Sequence, residues 1–195
     1  MGAKKKDGRT LRAERSRRAV AQAMLDLLRA GELRPTAAEV AEKAGVSLRL
    51  VFHHFKDMEA VHLRAGELQA AEVAPLLPID TRGCKTLAER IRVFVGRRSA
   101  LYEFISPTRR SLLLAKDEHT LHAQADKFRA IKRAQLDYVF REDFERLQES
   151  KREPRRRACH QVASWAGWEN LRVNQQLSVD EATKVLETAL DRLLT

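Results

Sequence analysis

Cysteine is nearly missing from this chain of 195 residues: Cys84 and Cys159 stand far apart, with no CxxC and no Cys/His cluster at ligand spacing. That excludes a disulfide framework and a structural zinc site, and it fits a reducing cytosol. Glycine (8) and proline (5) are scarce and fall near breaks in the periodic segments, so no turn-rich β architecture is indicated. No run approaches the ~18 apolar residues of a membrane span, and the opening MGAKKKDGRT has no apolar stretch to serve as a signal peptide. Lys6 stands where a myristoylation motif requires Ser or Thr. A cytoplasmic protein without a membrane partner is expected. Catalytic signatures are lacking too: no Gly-rich phosphate loop, no GxSxG, no HExxH. Cys159 and His160 are adjacent, but neighbours on a helix point ~100° apart, poor geometry for a thiol and its base. No enzyme, no cofactor and no metal site are expected.

What the chain does have is charge and helical period. Hydrophobic residues make up 44% and charged residues 33%, the balance of a folded domain, and the net charge of +10 points to an anionic partner, nucleic acid first. Residues 1–18 hold eight basic side chains, including Lys4, Lys5 and Lys6, against Asp7 and Glu14, a net of +6. Such a stretch is either an arm that tracks phosphates or enters a minor groove, or a solvated tail.

The pattern between Thr36 and Phe55, TAAEVAEKAGVSLRLVFHHF, organises the rest. Thr36 and Glu39 have capping-box spacing. Ala37, Val40, Ala41 and Ala44 form a narrow apolar stripe, Gly45 suits a left-handed C-terminal position, and Ser47 can cap a second helix at once. Two short helices joined by a Gly-containing bend are a helix-turn-helix, whose second helix enters the major groove. A preceding helix, Leu11 to Ala30, carries Val20, Met24, Leu27 and Leu28 on one face and closes at Gly31.

Arg17-x-x-Val20, Gly31, Thr36, Val40-Ala41, Ala44-Gly45-Val46-Ser47 and Val51-Phe52-x-His54-Phe55 together resemble the N-terminal domain of TetR-family transcriptional regulators, over about 45 residues. Val51 and Phe55 should pack inward with Val46. Periodicity alone leaves Leu48 open to either face; the resemblance turns Leu48, Arg49, Leu50 and His53 toward the groove. Arg49 is the best candidate for base readout, because a guanidinium bridges guanine O6 and N7. Leu48 or Leu50 would meet a thymine methyl. Thr36, Ser47, Phe52, His54 and Lys56 complete the DNA-contacting set, His54 matching the family's phosphate-side histidine and Lys56, with the arm, standing in for missing anchors. It also exposes departures: where the family carries Ser or Thr near 50, Tyr at 52 and Lys at 58, this chain has Leu50, Phe52 and Met58. Three phosphate anchors are therefore absent.

The remainder is all helical. Asp57 caps a helix to about Leu77; one runs from Leu87 to Ser106, a short one from Pro107, and a long one from Leu121 to Leu147 with Phe128, Ile131, Leu136, Val139, Phe140 and Phe144 inward. KREPRRR at 151–157 reads as a charged break before a helix over Ala158–Leu171. Ser178 and Glu181 repeat the capping-box spacing, and Ala182, Val185, Leu186, Ala189, Leu190 and Leu193 form one stripe. The expected fold is all-α with about nine helices: residues 1–56 as a basic arm and helix-turn-helix domain, and 57–195 as an effector-binding and dimerisation domain. The resemblance makes the last stripe, with Trp168, a homodimer interface; an intramolecular core is the alternative, since a stripe alone does not name its partner. It further implies a small apolar or aromatic effector, for which Tyr102, Phe104, Phe128, Tyr138, Phe140, Trp165 and Trp168 are candidate linings. The function implied is a sequence-specific double-stranded-DNA-binding repressor released by that effector. An architectural DNA binder of the same fold, or a protein-interaction module using the basic arm, are the alternatives.

Overall fold

The computed structural model describes residues 8–114 and 119–195. Ten α-helices occur among them and no strand. The helices are α1 (Gly8–Arg29), α2 (Ala37–Ala44), α3 (Leu48–His54), α4 (Met58–Val73), α5 (Leu87–Leu114), α6 (His119–Val139), α7 (Arg141–Arg146), α8 (Glu149–Val162), α9 (Trp165–Glu169) and α10 (Val179–Leu194). A 3₁₀ turn at Ala74–Leu76 follows α4, and a π-helical turn at Asn170–Asn174 follows α9.

The chain divides into two compact units. The first comprises residues 1–75 and 107–121, the second residues 76–106 and 122–195. The first unit is thus larger than the expected 1–56 segment, because α4 packs on α1. Val61 and Ala65 of α4 join Val20, Met24, Leu25, Leu28, Val40, Ala41, Val51 and Phe55 in one buried cluster. The end of α5 belongs here too: Thr108 Oγ1 donates to Gln69 Oε1 (2.8 Å) and Ser111 Oγ to the Leu33 carbonyl (2.8 Å).

In the second unit Phe94 meets Phe140 edge-on, with centroids 5.2 Å apart. Arg90 donates to both oxygens of the buried Asp143, at 2.6 and 2.8 Å, joining α5 to α7. α8 packs on α10 and α9. Gly167 is indispensable to the α8–α9 turn: a Cβ there would lie 2.6 Å from the Val162 carbonyl oxygen.

Three expectations about helices are corrected. α5 runs through Pro107 without ending there. Proline removes one ladder bond and costs ~3 kcal/mol in a helix interior, but its flanks Tyr102, Ile105 and Ser106 are buried, and the Ser106 hydroxyl donates back to the Tyr102 carbonyl (2.7 Å). The charged run at 151–157 is likewise helical through Pro154, inside α8. Its charges are used locally: Glu153 accepts from Arg156 (2.9 Å) and Arg157 (2.8 Å), and Arg152 covers the Phe144 and Glu145 carbonyls at the end of α7. The long helix to Leu147 instead breaks at Phe140 (φ −110°, ψ 19°). Before that break, α6 buries Lys132, Leu136 and Val139 and leaves Ile131 exposed.

Candidate nucleic-acid interface

Local chemistry sets up the helix-turn-helix. The Thr36 side chain accepts from Glu39 N–H (3.3 Å), while Glu39 Oε2 accepts from the Thr36 backbone N–H (2.7 Å). The Thr36 hydroxyl also donates to that carboxylate, and these bonds hold the Glu39 carboxyl below the usual carboxylate range. Gly45 ends α2 with φ 65°, a conformation that costs a side-chain-bearing residue steric strain. Ser47 then caps α3 by accepting from Leu50 N–H (3.2 Å). Thr36 and Ser47 are both exposed, and both hydroxyls are committed to capping.

α3 is pinned by Val51 (fully buried) and Phe55, the pair expected to point inward. The opposite face carries Leu48 (46% exposed), Arg49, Phe52 (51% exposed) and His53. Leu50 is half-buried, less outward than expected. Lys56 follows with its ammonium in solvent, 3.7 Å from Asp57. Two large apolar side chains and a guanidinium on one exposed helix face form a surface able to contact base edges and thymine methyls.

His54 faces elsewhere. It lines an open cleft of about 400 Å³ with Glu14 and Arg17 of α1, Phe55, and Arg64 of α4. Burial chiefly, then the charges of His53 and Arg17, hold its pKa below the ordinary histidine value. Arg64 pairs with Glu67 (2.6 Å) and with Glu14 (3.0 Å), tying α4 to α1. Sequence reasoning missed this cleft, since Arg64 lies on a helix assigned to the other domain. Arg12, Arg15, Arg17 and Arg18 are exposed on α1, so the second half of the basic stretch is helical. Lys4, Lys5 and Lys6 lie outside the described residues.

The residues expected to line an effector pocket are distributed otherwise. Tyr102, Phe140, Trp165 and Trp168 are buried, and several are hydrogen-bonded in place. The Tyr102 hydroxyl donates to the Ala163 carbonyl (2.7 Å), the Trp165 indole to Ser106 Oγ (2.9 Å), and the Trp168 indole to Glu103 Oε1 (2.8 Å). Phe104 and Phe128 are half-buried, and Tyr138 is a surface residue at 73% exposure, which removes it from any interior lining. Trp168 is fully buried within the single chain, so it presents nothing to a second copy. The stripe on α10 also divides. Ala182, Leu186 and Leu190 are buried in the chain's own core, whereas Val185 is 44% exposed and Ala189 and Leu193 are half-buried. Only the second row is available outward.

Among the described residues no cluster of His, Cys, Asp and Glu is placed to hold a metal ion, and no helix is long and apolar enough to cross a membrane. No family model and no curated protein matches the sequence. Solved structures do match its fold. A TetR-family transcriptional regulator from Streptomyces coelicolor superposes with a TM-score of 0.71 at 18% identity, over 99% of this chain and 82% of that one. A transcriptional regulator from Rhodococcus sp. Rha1 superposes with a TM-score of 0.69 at 16% identity, over 91% of this chain and 95% of that one. The chain has the all-α fold of these regulators.

Proposed function

We propose that this chain, which shares the fold of a TetR-family transcriptional regulator, is itself a member of that family and a non-enzymatic, sequence-specific DNA-binding regulator of the cytoplasm. The observation that carries the reading is the two-sided character of α3. Val51 and Phe55 lock it into the first unit's core, while Leu48, Arg49, Phe52 and His53 stand outward. A helix so held meets the two demands of major-groove reading, a rigid mount and unpaired donors and methyl-contacting groups. Thr36 and Ser47 contribute through their helix starts, His54 and Lys56 on the phosphate side, and Lys4, Lys5 and Lys6 as an arm. With the usual anchors replaced by Leu50, Phe52 and Met58, affinity rests more on arginine and on the arm.

The working form is a homodimer joined through the outward row Val185, Ala189 and Leu193 of α10, with its two reading helices in successive major grooves ~34 Å apart. The palindromic operator is repressed by the free protein and released by a small-molecule effector held in the second unit. Release requires that the effector bind two conformations with different affinity.

Titration of a labelled palindromic duplex against unlabelled random DNA, at fixed salt, tests the reading. Specific binding predominates by at least ~10³-fold if the reading holds, and affinity falls roughly 10³-fold between 50 and 200 mM salt for about six phosphate contacts. Equal competition by random DNA would reduce the protein to a nonspecific or architectural binder.

A further inference from the structure

Basic side chains gathered round an open cleft make a seat for an anion, and the first unit has such a cleft. Glu14 and Arg17 of α1, His54 and Phe55 at the end of α3, and Arg64 of α4 line about 400 Å³. Two arginines and a histidine thus surround one carboxylate. That carboxylate is engaged: Glu14 Oε1 accepts from Arg64 Nη2 at 3.0 Å, while Arg64 Nη1 donates to Glu67 at 2.6 Å. Arg64 and Glu14 keep 36% and 50% of their side-chain surface in solvent, and an ion pair in that setting is weak and exchangeable. One carboxylate also leaves the cleft with surplus positive charge. Burial first, then the charges of His53 and Arg17, hold the His54 pKa below its ordinary value.

The cleft lies where a duplex would pass. α3 has seven residues, ~10 Å of helix at 1.5 Å per residue, and a major groove is ~12 Å wide. Side chains on the last turn of so short a helix come to the groove's edge, where the phosphates are. His54 is the last residue of α3, its ring 5.4 Å from that of the outward His53. Lys56, just beyond, holds its ammonium in solvent.

We propose that Glu14 is an internal stand-in for DNA phosphate: its carboxylate holds the cleft in the free protein, and on binding a backbone phosphate takes its place on Arg64 Nη2, beside Arg17 and His54. The inference rests on the reading that α3 enters a major groove, and it adds to that reading a displaceable acid that limits the attraction for phosphate. Guanidinium donors take carboxylate and phosphate oxygens alike, so the exchange leaves no donor unpaired, and Glu67 keeps Nη1 throughout. The phosphate prevails because it arrives on a polyanion held by other contacts and releases condensed counterions as it docks. Glu14 then turns out to solvent. The affinity observed is the attraction of the phosphate less the Glu14 contact it replaces.

The test uses the full chain and a random-sequence duplex, titrated at several salt concentrations with wild type, Glu14→Gln, Arg64→Gln and the double variant. Neither side chain belongs to the buried cluster, so the variants keep the fold. Glu14→Gln should tighten binding roughly two- to fivefold, the equivalent of an exposed ion pair. Arg64→Gln should weaken binding and lower the slope of log affinity against log salt by about 0.9, one phosphate contact. The deciding quantity is the gain from Glu14→Gln measured again without Arg64. It should shrink, because the contact that held Glu14 in the cleft is gone. A gain as large or larger without Arg64 would mean that Glu14 merely repels the duplex from a distance, and it would overturn the proposal. Unchanged affinity in Glu14→Gln would overturn it as well. The same proteins titrated with a palindromic duplex separate the two readings. Coupled variants with no preference for the palindrome refute only sequence-specific reading; a sequence preference with uncoupled variants refutes only this inference; no binding to either duplex refutes both.

Discussion

His54 shows how a single side chain of the reading head is tuned by its place. It sits in the cleft between Arg17 and Arg64, and partial burial, reinforced by His53 and Arg17, keeps its pKa under the ordinary 6.5. In the unfolded chain the same group titrates near 6.5. Between the two values the unfolded state holds more protons, so stability is fully present above about pH 6.5 and is lost as the pH falls through the folded-state value. His54→Gln should flatten that part of the profile in urea titrations run from pH 7.5 to 5. An unchanged slope would place the acid sensitivity elsewhere. Cys159 is the opposite case: fully buried, its thiol pushed up to about 12, it is an inert part of the core. The outward Arg49 was legible from the sequence because the inward positions were claimed by Val51 and Phe55. Arg98 and Lys132 were not legible, since nothing in a helical pattern marks a basic side chain as buried.

At the scale of elements, starts and stops were the readable part. Both capping boxes and the Gly45 turn depend on contacts within four residues, and all three form as their spacing indicated. Prolines misled for the converse reason: whether Pro107 or Pro154 ends a helix depends on tertiary packing that can outweigh one lost bond. Gly167 was invisible for a related reason, because its necessity lies in the approach of the Val162 carbonyl. Gly167→Ala should lower stability by roughly 1–3 kcal/mol, the usual range for forced overpacking, measured as a shift in urea midpoint; no shift would mean the α8–α9 turn relaxes freely. The α10 stripe read as one surface and is two, because a six-residue apolar row is wider than one neighbour can cover. Its outward member Val185 gives the dimer proposal a clean probe. Val185→Glu should leave helical content unchanged while light scattering reports monomer in place of dimer. A dimer that persists would move the interface off this face of α10.

For the whole molecule, the excess of positive charge and the all-α pattern were evident from composition and period, and the structure has the fold they indicated. The division into units was not, because α4 reads as an ordinary amphipathic helix and only its packing on α1 assigns it to the head. That packing adds α4 to the head, where Glu14–Arg64 links α1 to α4. Specific DNA reading would need a rigidly mounted α3, a paired chain and a palindromic site together. Selection of bound duplexes from a random pool, carried out in parallel with wild type and Arg49→Ala, tests that chain of claims most directly. Wild type should enrich an inverted repeat with half-sites about one helical turn apart, and the variant should lose preference at one base pair in each half-site, at a cost of ~1–3 kcal/mol there. A pool that enriches no motif, or a motif that Arg49→Ala leaves intact, would contradict it.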